Sequence, residues 1–452
     1  MTADTTRLAL DVGSASYGVV HTGTAKPTGA RAAADAPAQP PRMIISFFGH
    51  DAGESTIIKR ASAFQANGAQ VIGFMFKRNR PGQTRMPSWE NIDLGVTQDL
   101  NYAARLPKLV MGLAHILRRS SLLRRSDVIY ARNIDMLALA VFAKWLSGTQ
   151  AIIAYEALDI YRVFVGNRAV NRLFRWAERR LLASSSLLVV SSPEYVSRYF
   201  GPVQSYSGPW HLLENKISAQ QVAAEFLERP PDPSSGPPWV IGMFGVLKCA
   251  RSIEILRRLA ESLPERVEVH FRGIPAKSVP SSLLDRVTQQ HSNIFYWGPY
   301  RSPQDLRDIY AKVHFTWAAD FLDPANNSAI CLPNRIYEGG LFGSVALAAA
   351  ETATGRFIEK EKLGWTLTEP LEDAVISFFR NLDASEYTLQ KAQVLSARRS
   401  IFVDESDTKA LLDRITDLRA GGGTVRQVQE PDQSKGCVNT SSGGRGKCAS
   451  HP

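Results

Sequence analysis

The sequence predicts an α/β protein of two doubly wound domains facing each other across a cleft, and three observations carry that expectation. Continuous apolar runs, MIISFFGH from Met43 and PWVIGMFGVLK from Pro238, have the pattern of strands buried on both faces of a parallel sheet. Each run ends at glycine and polar residues and is followed by apolar positions at helical spacing, so the chain spells strand, loop, helix, strand. The pattern then restarts beyond a proline-rich stretch, ERPPDPSSGPP at 228–238, which reads as a linker.

At 452 residues the chain exceeds the size at which single cores stop growing, so two domains are expected. A hydrophobic content of 44% and a charged content of 21% are ordinary for globular proteins. The net charge of +10 favours anionic partners: nucleotides, nucleic acid or an acidic membrane surface. Nucleic acid ranks low, because no basic patch interleaved with aromatics and no known module is present. The four cysteines, Cys249, Cys331, Cys437 and Cys448, have spacings that suit neither a disulfide framework nor a zinc site. With no apolar core segment in the first 30 residues and no run near the ~20 residues a bilayer span needs, a cytoplasmic protein is expected.

Residues 1–42 are rich in Ala, Thr, Gly and Pro and read as a disordered leader. The N-terminal domain, 43–227, opens with the Met43 strand. Ser55 to Asn67 then places Ile57, Ile58, Ala61 and Phe64 at helical spacing, and Gly68 ends that helix. AQVIGFMF is the second strand. Asn101–Arg119 and Met136–Leu146 read as helices, and Asp127–Tyr130, Ala151–Tyr155 and SLLVVSS as strands. Arg168–Leu182 is an amphipathic helix with Val170, Leu173, Phe174, Ala177 and Leu181 on one face. Its other face carries Arg168, Arg172, Arg175 and Arg179. The apolar stripe is expected on the sheet, leaving the arginines to solvent or to anionic lipid headgroups.

The C-terminal domain, 239–370, repeats the scheme. Ser252–Leu263 is a helix, RVEVHFRG and NIFYWGPY are strands, and Ser302–Ala311 is a helix with Pro303 in its first turn. VHFTWAA leads into the stretch around which the chain is organised, NNSAICLPNRIYEGGLFG at 326–343. Helices near 371–382, 384–398 and 405–419 close the fold, and 420–452 reads as a disordered tail.

In the 326–343 stretch, Asn326 and Asn327 lead to a turn at Pro333-Asn334, then to Arg335, Glu338 and a Gly-Gly pair. That order suits a loop whose N–H groups face an anion, followed by a helix start that helps hold it; a diphosphate is the expected ligand. Glu338, about one turn past the proline, can accept hydrogen bonds from sugar hydroxyls. The Gly242-x-x-Gly245 turn allows close backbone approach, and Lys248 follows where a point charge reaches a phosphate.

These residues carry a resemblance over roughly 43–419 to GT-B glycosyltransferases, similar to the family 4 group and in particular to exopolysaccharide glucosyltransferases of the succinoglycan type. The fold implied is GT-B, two Rossmann-like domains facing across a cleft. In that family a Gly-Arg turn and a later lysine hold the donor diphosphate. Lys248 matches the lysine and Met243 takes the arginine position, leaving Arg251, Arg272 or Arg335 to supply the guanidinium. Of the family's two donor-loop glutamates, Glu338 matches the second, the ribose ligand, while Ile330 replaces the first. Leu158 takes the place of the family's N-domain histidine.

The resemblance implies a glycosyltransferase moving a hexose, with UDP-glucose the expected donor, onto a lipid-linked saccharide in exopolysaccharide synthesis, at the inner face of the plasma membrane. No cofactor or metal is expected, since no DxD-type carboxylate pair ends a strand. Retaining transfer is the family's rule and stays open beside inversion, and an inverting transfer needs a general base. Among the strand-end carboxylates Asp159 is the first choice, ahead of Glu156 and Asp51. The expected donor residues are Gly245, Lys248, Arg272, Asn326, Asn327, Pro333, Asn334, Arg335 and Glu338. The acceptor is expected at His50, Gly53, Arg132 and Asn133. A nucleotide-sugar epimerase of the same shape and a non-catalytic nucleotide-sugar binder in a polysaccharide assembly complex stay open as alternatives.

Overall fold

The computed structural model describes residues 43–78, 87–97, 102–222, 233 and 236–421. The expected leader, most of the linker and nearly all of the expected tail lie outside the described residues.

The first sheet is built from β1 (Ile44–Gly49), β2 (Gln70–Arg78), β3 (Glu90–Thr97), β4 (Val128–Arg132), β5 (Ile152–Ala157), β6 (Leu187–Val190) and β7 (Trp210–Leu212). Their order is β3-β2-β1-β4-β5-β6-β7, and every pairing is parallel. The central position of β1 explains its continuous apolar run. Ile45 and Phe47 enter one core and Phe48 the core on the opposite face. Helices α1 (Ser55–Ala66), α2 (Tyr102–Arg118), α3 (Ser120–Arg124), α4 (Ile134–Ser147) and α5 (Ala169–Leu182) flank the sheet.

The second sheet contains β9 (Trp239–Phe244), β10 (Val267–Arg272), β11 (Ile294–Tyr296), β12 (Phe315–Trp317), β13 (Val345–Ala349) and β14 (Gly364–Leu367), ordered β11-β10-β9-β12-β13-β14 and again all parallel. Between the sheets, β8 (Ile217–Ser218) pairs with β15 (Val403–Asp404). The last helix, Asp407–Arg419, crosses back to the first domain. Its Leu411, Leu412 and Ile415 share a core with Ile57, Ala61 and Phe64 of α1, and Arg419 pairs with Asp127 at 2.6 Å.

Six strands go beyond the sequence reading, the two- and three-residue β7, β8 and β15 and three longer ones. β3, ENIDLGVT, is an edge strand too polar to read as buried. β13, VALAA, has an alanine-rich run that suits a helix equally well, and β14 is only four residues long at the opposite edge. The helix expected from Ser302 is confined to Leu306–Tyr310, because turns occupy 302–305.

The orientation of α5 also differs. Its buried side holds Asn171, Phe174, Arg175, Glu178, Leu181 and Leu182, so the stripe is rotated from the one expected. Polar members of that side bond to the protein. Asn171 donates to the Val163 carbonyl at 2.8 Å, and Arg175 to the carbonyls of Phe164 and Gly166 at 3.0 and 2.7 Å. The Glu178 carboxyl accepts from Tyr199 and Gln204, and burial pushes it up to about 7. Arg179 donates to the carbonyls of Gln204 and Val203. Val170, Leu173 and Trp176 face outward instead, 48%, 60% and 56% exposed.

Candidate active site

In both sheets the strands' carboxyl ends face the cleft, and the loops that leave them carry the site. After β9, Gly245 has φ 110° and its N–H donates to the Arg272 carbonyl at the end of β10. Gly273 follows with φ 128°, and a Cβ there would lie 1.7 Å from the Gly245 carbonyl oxygen. The two glycines let adjacent strand ends meet backbone to backbone. Gly273→Ala is expected to cost roughly 1–3 kcal/mol or more, read as a lowered denaturant midpoint with weakened nucleotide binding.

The turn presents Lys248, whose Nζ lies 3.0 Å from Asp320 Oδ2. Burial disfavours the ammonium, but Asp320 and then Asp159 outweigh it and hold its pKa above the ordinary lysine value. Asp320 sits in the loop after β12; burial opposes its ionisation, yet Lys248 prevails and keeps it a carboxylate. Sequence reasoning missed Asp320, although a carboxylate ending VHFTWAA obeys the strand-end rule that singled out Asp159. Lys248 is thus a charged, part-exposed group held by the Asp320 carboxylate at the strand end.

Glu338 lies on the helix Asn334–Leu341 and accepts from the Tyr310 hydroxyl at 3.3 Å. Burial raises its pKa, offset in part by Lys59 on α1. Burial in turn presses Lys59 down to about 8, and the ammonium donates to the Asn215 carbonyl at 3.0 Å. Lys59, unnoticed in the sequence, is the first domain's charge opposite Glu338. Pro333 occupies the N-cap of the Glu338 helix and Asn334 its first turn. Nε of Arg272 is buried with no protein acceptor among the described residues.

Other expected donor residues are engaged elsewhere. Arg335 is buried and donates to the Trp317 carbonyl at 3.1 Å, so it lends positive field from beneath the site instead of a free guanidinium. Arg251 is held by Glu369 and Glu372. Asn326 donates to Asp323 at 3.0 Å. Asn327 spans the cleft: its Oδ1 accepts from the Ile160 N–H at 2.9 Å and from the Tyr195 hydroxyl at 3.2 Å, and its Nδ2 donates to Asp159 at 2.8 Å. Ile330, three residues on, inserts into the first domain's core.

On the opposite wall Asp159 keeps exposed surface toward the cleft, while the surrounding walls desolvate its carboxyl and raise its pKa against the opposing pull of Lys248 and Asn327. A strand-end carboxylate tuned upward and reachable from the cleft has the character of a general base. Glu156 does not. Arg132 bonds both its oxygens, at 2.7 and 3.1 Å, and Arg60 reaches it at 3.0 Å. Burial opposes its ionisation, but Arg132 and then Arg60 hold its carboxyl down to about 2. Glu156 is therefore an internal anion, and Arg132, fully buried, is its partner and not an acceptor ligand. The sequence held a sign of this cluster: Arg60 stands in the buried face of α1 among Ile57, Ala61 and Phe64.

Asp51 is buried and accepts from the Gly53 N–H at 3.1 Å, which folds the glycine loop. His50 joins Glu54 at 2.5 Å and contacts Asn133 at 3.1 Å. The expected acceptor residues His50, Gly53 and Asn133 thus shape the loop that ends at the cleft.

No family model matches the sequence. The succinoglycan biosynthesis protein ExoL of Rhizobium meliloti (strain 1021) is 33% identical over 377 residues, which cover 83% of this chain and 93% of that protein. Among solved structures, HepE of Anabaena in complex with UDP-glucose aligns over 83% of this chain and all of its own, with a TM-score of 0.59 at 14% identity. The lipopolysaccharide outer core galactosyltransferase WaaB aligns over 83% of this chain and 99% of its own, with a TM-score of 0.56 at 12% identity. The two parallel sheets, the returning C-terminal helix and these relatives together place the chain in the ExoL family of succinoglycan biosynthesis proteins, built on the GT-B glycosyltransferase fold.

Proposed function

We propose that this glycosyltransferase of exopolysaccharide synthesis transfers a hexose from a UDP-sugar, UDP-glucose by expectation, to a lipid-linked saccharide. The observation that carries the donor half is the meeting of Lys248, the Gly245–Gly273 turn and the free Nε of Arg272 at the strand ends of the second sheet. Such a turn admits a diphosphate to the backbone, and Lys248 neutralises the charge that builds on the leaving group. Glu338 would take the ribose hydroxyls, and Asp159 would accept the acceptor's proton. HepE, solved with UDP-glucose on the same fold, supports this choice of donor. The acceptor half rests on the family and on the placement of Asp159 across the cleft from Lys248. The chemistry needs no resident cofactor in this reading.

A calorimetric titration of UDP, GDP and ADP into the wild type and Glu338→Ala tests the donor site. Selective UDP binding is expected, weakened in the variant by about 10- to 100-fold, as suits the loss of hydrogen bonds to a charged group worth ~1.5–3 kcal/mol. Absence of binding by the wild type would overturn the assignment.

A further inference from the structure

We propose that Asn327, a residue of the second domain, is the positioning residue of Asp159 in the first, so that the base is complete only when the cleft is closed; this rests on the reading of Asp159 as the base. The Ile160 N–H can only donate, so the Asn327 atom it meets at 2.9 Å is the oxygen, and the atom 2.8 Å from Asp159 Oδ1 is the amide nitrogen. The Tyr195 hydroxyl, 3.2 Å from the same oxygen, holds the amide in that sense. Oδ1 of Asp159 is thereby occupied and the plane of its carboxylate fixed. Among the described residues no donor meets Oδ2, and the side chain keeps exposed surface, so Oδ2 is the atom left for an acceptor hydroxyl. A general base needs such a fixed orientation toward the proton it takes.

The surrounding contacts hold Asn327 in place from both domains. Asn327 opens the short helix Asn327–Ile330, and Ile330, 6% exposed, enters the first domain's core with Ala329 and Cys331 packed against it. Within the second domain Asp323 braces the segment: its N–H donates to Ser328 Oγ and its carboxylate accepts from Asn326, both at 3.0 Å. Arg162 of the first domain reaches the same carboxylate at 3.5 Å, and Arg356 of the second donates to Glu194 of the first at 2.9 Å. Separation of the domains withdraws Asn327 from Asp159, because the two side chains belong to opposite walls. Proton removal therefore waits on closure.

The groups that face Asp159 are Lys248, Asp320 and Cys331 from the second domain and Glu54 and Tyr195 from its own. Burial, Glu54 and Asp320 favour the protonated acid, while Lys248 and the Asn327 amide favour the carboxylate. Loss of the amide donor leaves the first set less opposed, so Asp159 holds its proton to higher pH.

The test is the pH–rate profile of UDP release from UDP-glucose by the full-length wild type, Asn327→Ala and Asn327→Asp, between about pH 5 and about pH 10. Asn327→Asp keeps an oxygen for Ile160 and Tyr195 but sets a second carboxylate against Asp159. The acid limb is expected to move up by roughly one to two pH units in Asn327→Ala, as suits the loss of one charge-assisted hydrogen bond. It should move further in Asn327→Asp, where two carboxylates share one site. On the acid side turnover of both variants falls at least tenfold, and it recovers as the pH rises; melting transitions show that the variants fold. A loss uniform at every pH, or limbs unmoved in both variants while Asp159→Asn is impaired, would overturn the proposal and leave Asp159 as the base. Wild-type turnover by Asp159→Asn would overturn the base assignment itself, and the proposal with it.

Discussion

Replacing Lys248 by alanine is expected to lower turnover by at least tenfold, and by as much as 10²–10³-fold, in a protein that still folds but with a lowered melting transition, because the buried Asp320 carboxylate loses its partner. Departure of the nucleoside diphosphate places negative charge on the leaving phosphate, and removal of one preorganised stabiliser of such charge typically costs ~2.7–4 kcal/mol of barrier. The ammonium is held in place by Asp320 at 3.0 Å and by the field of Asp159. The alanine variant loses the cation and also leaves the Asp320 carboxylate facing the incoming diphosphate, so both ground-state binding and the barrier suffer. UDP release from UDP-glucose, with kcat and KM determined separately, reads the effect. Lys248→Arg keeps the charge in a wider, planar group and should recover part of the rate. Near-normal turnover in Lys248→Ala would remove this residue from the site.

The turn that carries Lys248 was legible in the sequence because its context is local. A strand buried on both faces gives a continuous apolar run, and the glycines after it announce a turn that admits an anion. The same logic found β1 and its loop, and with them the repeated α/β pattern and the GT-B expectation. Expectations that needed tertiary contacts fared differently. Asn327 looked like a sugar ligand, but it ties the second domain to Asp159 and Ile160 of the first, partners more than 160 residues away. Arg335 shares a helix with Glu338, yet the helix turns its guanidinium inward to the Trp317 carbonyl. α5 was expected to bury one apolar stripe, yet only Phe174, Ala177 and Leu181 of it turn inward. Asn171, Arg175 and Glu178 share that inward side, each bonded to the protein, and Leu173 and Trp176 face the surface. Such choices depend on which carbonyls and hydroxyls wait opposite the helix, and periodicity carries no record of them.

Arg132→Met is expected to lower stability by about 3–5 kcal/mol, the usual consequence of removing one partner from a buried ion pair. Arg132 supplies both oxygens of Glu156 with donors, and Arg60 alone would remain to compensate a fully buried carboxylate. The pH dependence follows in sign. The folded pKa of Glu156, about 2, lies below its ordinary 4.5, so its contribution is complete above about pH 4.5 and is lost as pH falls toward 2. That interval corresponds to roughly 3 kcal/mol at 1.36 kcal/mol per pH unit. Urea midpoints of the wild type and Glu156→Gln between pH 7 and pH 3 should therefore converge as the medium becomes acid. The same pair of variants separates ion pair from base. In Glu156→Gln any loss of rate should follow the loss of folded protein, with the pH–rate profile of the remainder unmoved. Asp159→Asn should keep the wild-type midpoint and lower kcat by about 10²–10⁴-fold, with loss of the acid limb of the profile. A Glu156→Gln variant that is stable, folded and inactive would return Glu156 to the chemistry and withdraw the base assignment from Asp159.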